Sequence, residues 1–240
     1  MGALYLVDLV AWLEDAGVDV EGYPGWESRA RGSGGYDPGR PWAVMWHHTA
    51  STASLEQDAA YCAEGDEDAP VCNALIGRDG RVVVIAAGAS NTNGKGYAMA
   101  FSHGTVPNDS MNSYAVGLEL CNNGIGEPYP AVQLDAAFAT SLTIAARLDL
   151  EPDDVGIHSH WAPDRKIDNA TAAATAGTGF HPASINSSGS WALEDLRAEL
   201  RARAGYLPPD PGPNPPDAAT MRDHASMLAA ATMRDPRIMI

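Results

Sequence analysis

Apolar residues near the start of the chain recur at helical spacing, at Leu6, Leu9, Val10 and Leu13, and Gly17 follows as a stop. This predicts an opening amphipathic helix. A loop rich in glycine, arginine and serine leads to Pro41, after which Trp42 to Trp46 reads Trp-Ala-Val-Met-Trp with no polar alternation. Such a run predicts a strand buried on both faces, and it ends on His47-His48. Ser54-Leu55-Glu56-Gln57 has the Ser-x-x-Gln form in which hydroxyl and amide each accept from the other's backbone N–H, predicting a helix start that continues through Tyr61 and Cys62. Ala74 to Ile76 and Arg81 to Ile85, joined by Gly-Arg-Asp-Gly, predict a hairpin on a tight Asp-Gly turn.

Tyr114 to Leu120 is a further strand and carries a carboxylate, Glu119, near its end. A helix is predicted from about Pro130 to Leu148, with Leu134, Phe138, Leu142, Ala145 and Leu148 on one face. Ile157 leads directly into His158, and the last core helix is Trp191 to Ala204, ended by Gly205. Strands and helices follow one another along the chain in a single domain. Its parts are an N-terminal helix and loop (1–40), a core (41–206), a stiff proline-rich linker (207–217) and a short tail (218–240) with the composition to form a helix. The tail is too short to fold alone, so it is read as frayed, or as a peptide that docks a partner or a second copy.

Composition narrows the function. In 240 residues, 31 acidic groups against 15 basic ones give a net charge of −16, which leaves no basic stripe for a phosphate backbone and argues against nucleic acid. The start of the chain lacks a basic region and carries Asp8 within its apolar stretch, so it fits neither a signal peptide nor a membrane span. Cys62, Cys72 and Cys121 are too few for a disulfide framework, though a Cys62–Cys72 bridge stays open.

Four of the seven histidines fall in two clusters, His47-His48 and His158-Ser159-His160, each at the end of a strand-like apolar run. A strand end at the rim of a sheet lets side chains converge on a cleft from a rigid backbone. Asp168 follows ten residues after His158, and two imidazoles with one carboxylate, leaving a fourth position for water, form a recurrent catalytic zinc set. Spacing alone does not decide it.

Trp46-His47-His48-Thr49-Ala50-Ser51 resembles the first zinc motif of the type 2 N-acetylmuramoyl-L-alanine amidases and the related peptidoglycan recognition proteins, and His158 to Asp168 resembles their second. The Gly-Arg-Asp-Gly hairpin and the strand ending Gly-Leu-Glu-Leu lie between them in the order of that family. The segment Arg29 to Tyr36 and the opening helix are similar to those of lysins from phages of actinobacteria.

The resemblance implies an α/β (α+β) fold with a mixed central β-sheet flanked by helices, and a zinc-dependent amidase cutting between the muramic acid lactyl group and L-alanine of peptidoglycan. His47, His158 and Asp168 would be the zinc ligands, Lys166 the catalytic lysine and Glu119 the general base. Asn73, Asn91, Asn93, Tyr129 and Trp161 are placed at the cleft as substrate contacts, beside Lys95. The chain departs from the family at Asp164 (often glycine), Asn169 (often proline) and Cys72 (tyrosine in some members). The implied setting is synthesis in the host cytoplasm and action at the wall, with access supplied by a holin or the virion and no membrane insertion. Two other readings stay open: a peptidoglycan-binding module without catalysis, and a zinc peptidase cutting within the stem peptide.

Overall fold

The helical spacing at the start becomes helix α1 (Leu9–Asp15), followed by a short strand β1 (Val20–Gly22). The unbroken apolar run is strand β2 (Ala43–His48), which carries both histidines inside the strand. Helix α2 (Leu55–Ala60) starts on Ser54, whose hydroxyl accepts from Gln57 N–H while the Gln57 amide accepts from Ser54 N–H; a wider π-type turn over Tyr61–Gly65 continues it. Strands β3 (Ala74–Ile76) and β4 (Val82–Val84) form the hairpin, turning at Gly80 with φ +86°. A small hairpin of β5 (Met99–Phe101) and β6 (Gly104–Val106) precedes strand β7 (Ala115–Leu120). Helix α3 (Ala131–Leu148), strand β8 (Val155–Ile157), the single turn α4 (His158–Trp161) and helix α5 (Leu193–Ala204) complete the order. The computed structural model describes residues 3–36, 41–170 and 179–205; the linker 207–217 and the tail 218–240 lie outside the described residues.

The central sheet runs β1-β4-β3-β7-β2-β8, parallel throughout except for the β3–β4 hairpin, so it is mixed and flanked by helices as the sequence implies. Alternation along the strands separates two faces. Val44 and Trp46 of β2, Val116 and Leu118 of β7 and Ile157 of β8 point into the main core with Leu134, Phe138 and Leu142 of α3, and with side chains of α1 and α5. Ala43, Met45 and His47, with Gly117 and Glu119, point the other way. On that side, Leu75 and Cys121 pack with Leu55 and Ala59 of α2, and Met45 packs with Trp161. His47 and His48 therefore lie on opposite faces. His48 meets Tyr129 OH across 3.2 Å, whereas His47 sits beside Glu119, its partner in the parallel register.

Sequence reading missed β1 and the β5–β6 hairpin. Each of these strands is three residues long and only partly buried, so none produces a periodic signal. The N-terminal segment also holds the chain that leaves β4: Leu6 N–H donates to Ala87 O at 2.8 Å, Gly88 N–H to Arg29 O at 3.0 Å, and Arg31 N–H to Ala89 O at 2.7 Å. That chain continues into residues 90–96, which border the histidines.

Gly117 is required by close approach. A Cβ there would lie 2.0 Å from Thr92 Oγ1 and 2.6 Å from Thr92 Cβ, and Gly117 N–H already donates to buried Asn73 Oδ1 at 2.9 Å. Gly117→Ala is expected to destabilise the fold by about 1–3 kcal/mol, as overpacking does. Thermal unfolding measures this; an unchanged midpoint would show that Thr92 yields without cost.

Candidate metal centre

The two histidine clusters meet because β2 lies beside β8 in parallel register, Trp46 opposite Ile157. His47 is the next residue on β2, and His158 is the first residue after β8. Asp168 is brought back by Ser159 N–H donating to Asp168 O at 2.7 Å, and by Asn169 Nδ2 donating to His47 O at 2.9 Å. His47 Nδ1 stands 2.7 Å from His158 Nδ1, Asp168 Oδ2 lies 2.7 Å from His158 Nδ1 and 3.5 Å from His47 Nδ1, and all three residues are buried. Their ligand atoms lie within 4.8 Å of one another, the one such His/Cys/Asp/Glu group among the described residues.

The chemistry of these atoms fits a cation. His158 Nε2 faces the main-chain oxygen of Asn93 at 3.0 Å, and a carbonyl can only accept, so the proton of neutral His158 is on Nε2. His47 Nε2 faces Asn93 Oδ1 at 3.1 Å. Assigned from this network, both Nδ1 atoms are lone pairs, and with Asp168 Oδ2 they form three acceptors in contact with no donor among them. A divalent metal resolves that arrangement.

The titration of the site agrees with this. Burial, then the charge of His158, pushes His47 down to about 4, and burial also lowers His158, so both rings are neutral at pH 7 as metal ligation requires.

Glu119 is on the same face. Burial first, then the neighbouring Cys62 and Asp168, raise it well above an ordinary glutamate, and its Oε2 has no hydrogen-bond partner among the described residues. It lines a cleft of about 420 Å³ with Thr49, Ser51, Gln57 and Tyr61. Lys166 is half-buried and stands two residues before Asp168.

The expected substrate contacts need correction in four of five cases. Asn73 is wholly buried: Nδ2 donates to Ala86 O and Gly88 O, and Oδ1 accepts from Gly117 N–H and Ser90 Oγ, so its hydrogen-bonding capacity is satisfied within the fold. Asn93 is buried against the histidines, Tyr129 against His48 and Trp191, and Trp161 beneath Gly96. A short amide or an aromatic ring in this sequence reads the same inside or outside, which is why their pattern misled. Asn91 remains at the surface, donating to Asp68 O at 2.9 Å, and Lys95 is exposed.

Sequence reading missed Arg165, which holds Asn93 O and Lys95 O, and Asn112, which accepts from Asn93 N–H at 2.7 Å. Arg165 could have been suspected from its place between the motif's Asp164 and Lys166; nothing in the sequence marks Asn112. Asp164 points to solvent and accepts from Tyr97 OH, away from the metal group. All three cysteines are free.

The sequence model for N-acetylmuramoyl-L-alanine amidases matches residues 37–171, more than half of the chain and every residue of the metal group. The chain belongs to that family. No curated protein matches it. Solved structures similar to this family member include the N-acetylmuramyl-L-alanine amidase AmiD from E. coli in complex with a muropeptide, 16% identical over 80% of this chain and 98% of that one, TM-score 0.46. The amidase LysC from Clostridium intestinale is 12% identical over 76% and 97%, TM-score 0.48, and Drosophila PGRP-LB is 17% identical over 59% and 83%, TM-score 0.43. Among the described residues of this amidase-family chain, no helix is long and apolar enough to cross a membrane.

Proposed function

We propose that the protein is a zinc-dependent N-acetylmuramoyl-L-alanine amidase that hydrolyses the bond between the lactyl group of muramic acid and L-alanine, and that it serves as a phage lysin. The observation that carries the reading is the convergence of His47 Nδ1, His158 Nδ1 and Asp168 Oδ2 as three buried acceptors inside the segment matched to the family. The lysin role is supported by the opening helix and the Arg29 to Tyr36 segment.

A zinc ion at these ligands would supply a Lewis acid and an acidified water. Glu119 faces the cleft from the strand beside His47 and takes the proton of the attacking water, then returns it to the leaving alanine amine. Lys166 stabilises the negative charge that grows on the lactyl oxygen. The walls from α2 and the turn that continues it, with Gln57 and Tyr61, and Val71 opposite, hold the stem peptide.

Digestion of defined muropeptides tests the reading. The expected result is intact stem peptides with a new N-terminal L-alanine, lost on chelation and restored by zinc. Fragments cut within the peptide would make the protein a peptidase. Full zinc with no cleavage would make it a binding module.

Glu119→Gln is expected to lower kcat about 10²-fold or more, the usual scale of a positioned base. It also has a signature in stability. Glu119 binds its proton more tightly folded than unfolded, so its contribution is complete below the ordinary glutamate value and is lost as pH rises through the raised folded value. Glutamine does not titrate. In metal-free protein the variant should therefore gain in unfolding temperature relative to wild type between pH 4 and pH 8, and a constant difference across that range would refute the buried-acid assignment.

A further inference from the structure

Asn93 is fully buried, yet the two halves of its amide are used unequally: Oδ1 lies 3.1 Å from His47 Nε2, whereas Nδ2 has no partner among the described residues. Its main-chain oxygen lies 3.0 Å from His158 Nε2. One residue therefore touches the outer nitrogen of both histidines. It is itself fixed from two sides, by its N–H donating to Asn112 Oδ1 at 2.7 Å and by Arg165 Nη2 donating to its carbonyl at 2.7 Å. Gly94, with φ +61°, turns the chain away immediately afterwards.

We infer that Asn93 is the positioning residue that sets both histidines in the Nε2–H form, so that their Nδ1 lone pairs face Asp168 and receive the metal. The inference rests on the metal reading above. A neutral imidazole has one N–H, and the ring nitrogen that meets an acceptor keeps the proton. The carbonyl fixes His158, because it lies at 3.0 Å while the Arg165 Nη2 donor stands off at 3.5 Å and is already committed to the Asn93 and Lys95 carbonyls. The side-chain amide has a choice: presenting its NH₂ would move the proton of His47 to Nδ1, aimed at His158 Nδ1 2.7 Å away, and close the site to a cation. The unpartnered Nδ2 is what remains when the oxygen is the half in use.

The test compares zinc affinity of the full chain, by competition with a chromogenic chelator, for wild type, Asn93→Leu and Asn93→Asp, with ¹⁵N NMR of the imidazoles. Asn93→Leu should lose about 10- to 100-fold in affinity, the scale of removing a ligand's outer hydrogen bond. Asn93→Asp should stay within a few-fold of wild type, because it keeps the acceptor and gives up only an NH₂ that bonds nothing. The spectrum of zinc-loaded wild type should show His47 protonated on Nε2. Equal affinity in Asn93→Leu, an equal loss in Asn93→Asp, or zinc on His47 Nε2 would each overturn the inference. If Asn93→Leu does not fold, the aspartate variant and the spectrum decide. A wild type that takes up no zinc removes the metal reading instead; the spectrum then still judges the tautomer, and His47 protonated on Nδ1 overturns the inference.

Discussion

Asp168→Ala is expected to yield a folded protein with amidase activity reduced about 10³-fold or more and zinc affinity reduced beyond the roughly 10- to 100-fold that loss of an outer hydrogen bond costs. The first figure follows from several kcal/mol of Lewis-acid stabilisation at about 1.36 kcal/mol per decade of rate. The fold should survive because the segment is held by groups other than the carboxylate: Ser159 N–H on Asp168 O, and Asn169 Nδ2 on His47 O. Two neutral histidines would remain, with the anion that balances a divalent cation gone. Metal analysis and muropeptide release, measured on the same preparation, check this. A variant that keeps full zinc and full rate would mean that the group is not the reaction centre.

Lys166→Ala should lower kcat about 10²-fold or more while leaving KM and zinc content near wild type, since the proposed role puts its charge where an oxyanion forms and not on the bound peptide. The main chain of Lys166 is held by its N–H donating to Ala162 O at 3.0 Å, so truncation removes the charge without moving the loop. Lys166→Arg should recover part of the rate. A variant with unchanged kcat would exclude any role for this residue in the reaction; a loss of zinc would show that it supports the metal group.

Much of this site is legible in the amino-acid sequence. The run Trp42 to Trp46 can only be a buried strand, and a strand that ends on two histidines offers one of them to each face. Asp168, ten residues after His158, needs only one tight turn to return. The hairpin at Asp79-Gly80 and the helix start at Ser54 are legible for a similar reason, because the local chemistry of a turn or a cap is complete within four residues.

What is not legible depends on partners far along the chain. Asn73 and Asn93 look like surface amides until Gly117, His47 and His158 are brought to them, and a single sequence contains no trace of that meeting. Strand β1 has the same character: Val20-Glu21-Gly22 becomes a strand only because Val82 to Val84 lies alongside it.

That pairing bears on how amidase-family units are exchanged between proteins. The family match begins at residue 37, and a fragment cut there would leave Val82-Val83-Val84 as an uncovered parallel edge, with its N–H and C=O groups free to template self-association. In the intact chain a short strand bearing an outward glutamate, Glu21, covers that edge. A fusion that carries this amidase-family unit should therefore be joined upstream of Leu4, where the chain first pairs with Tyr36.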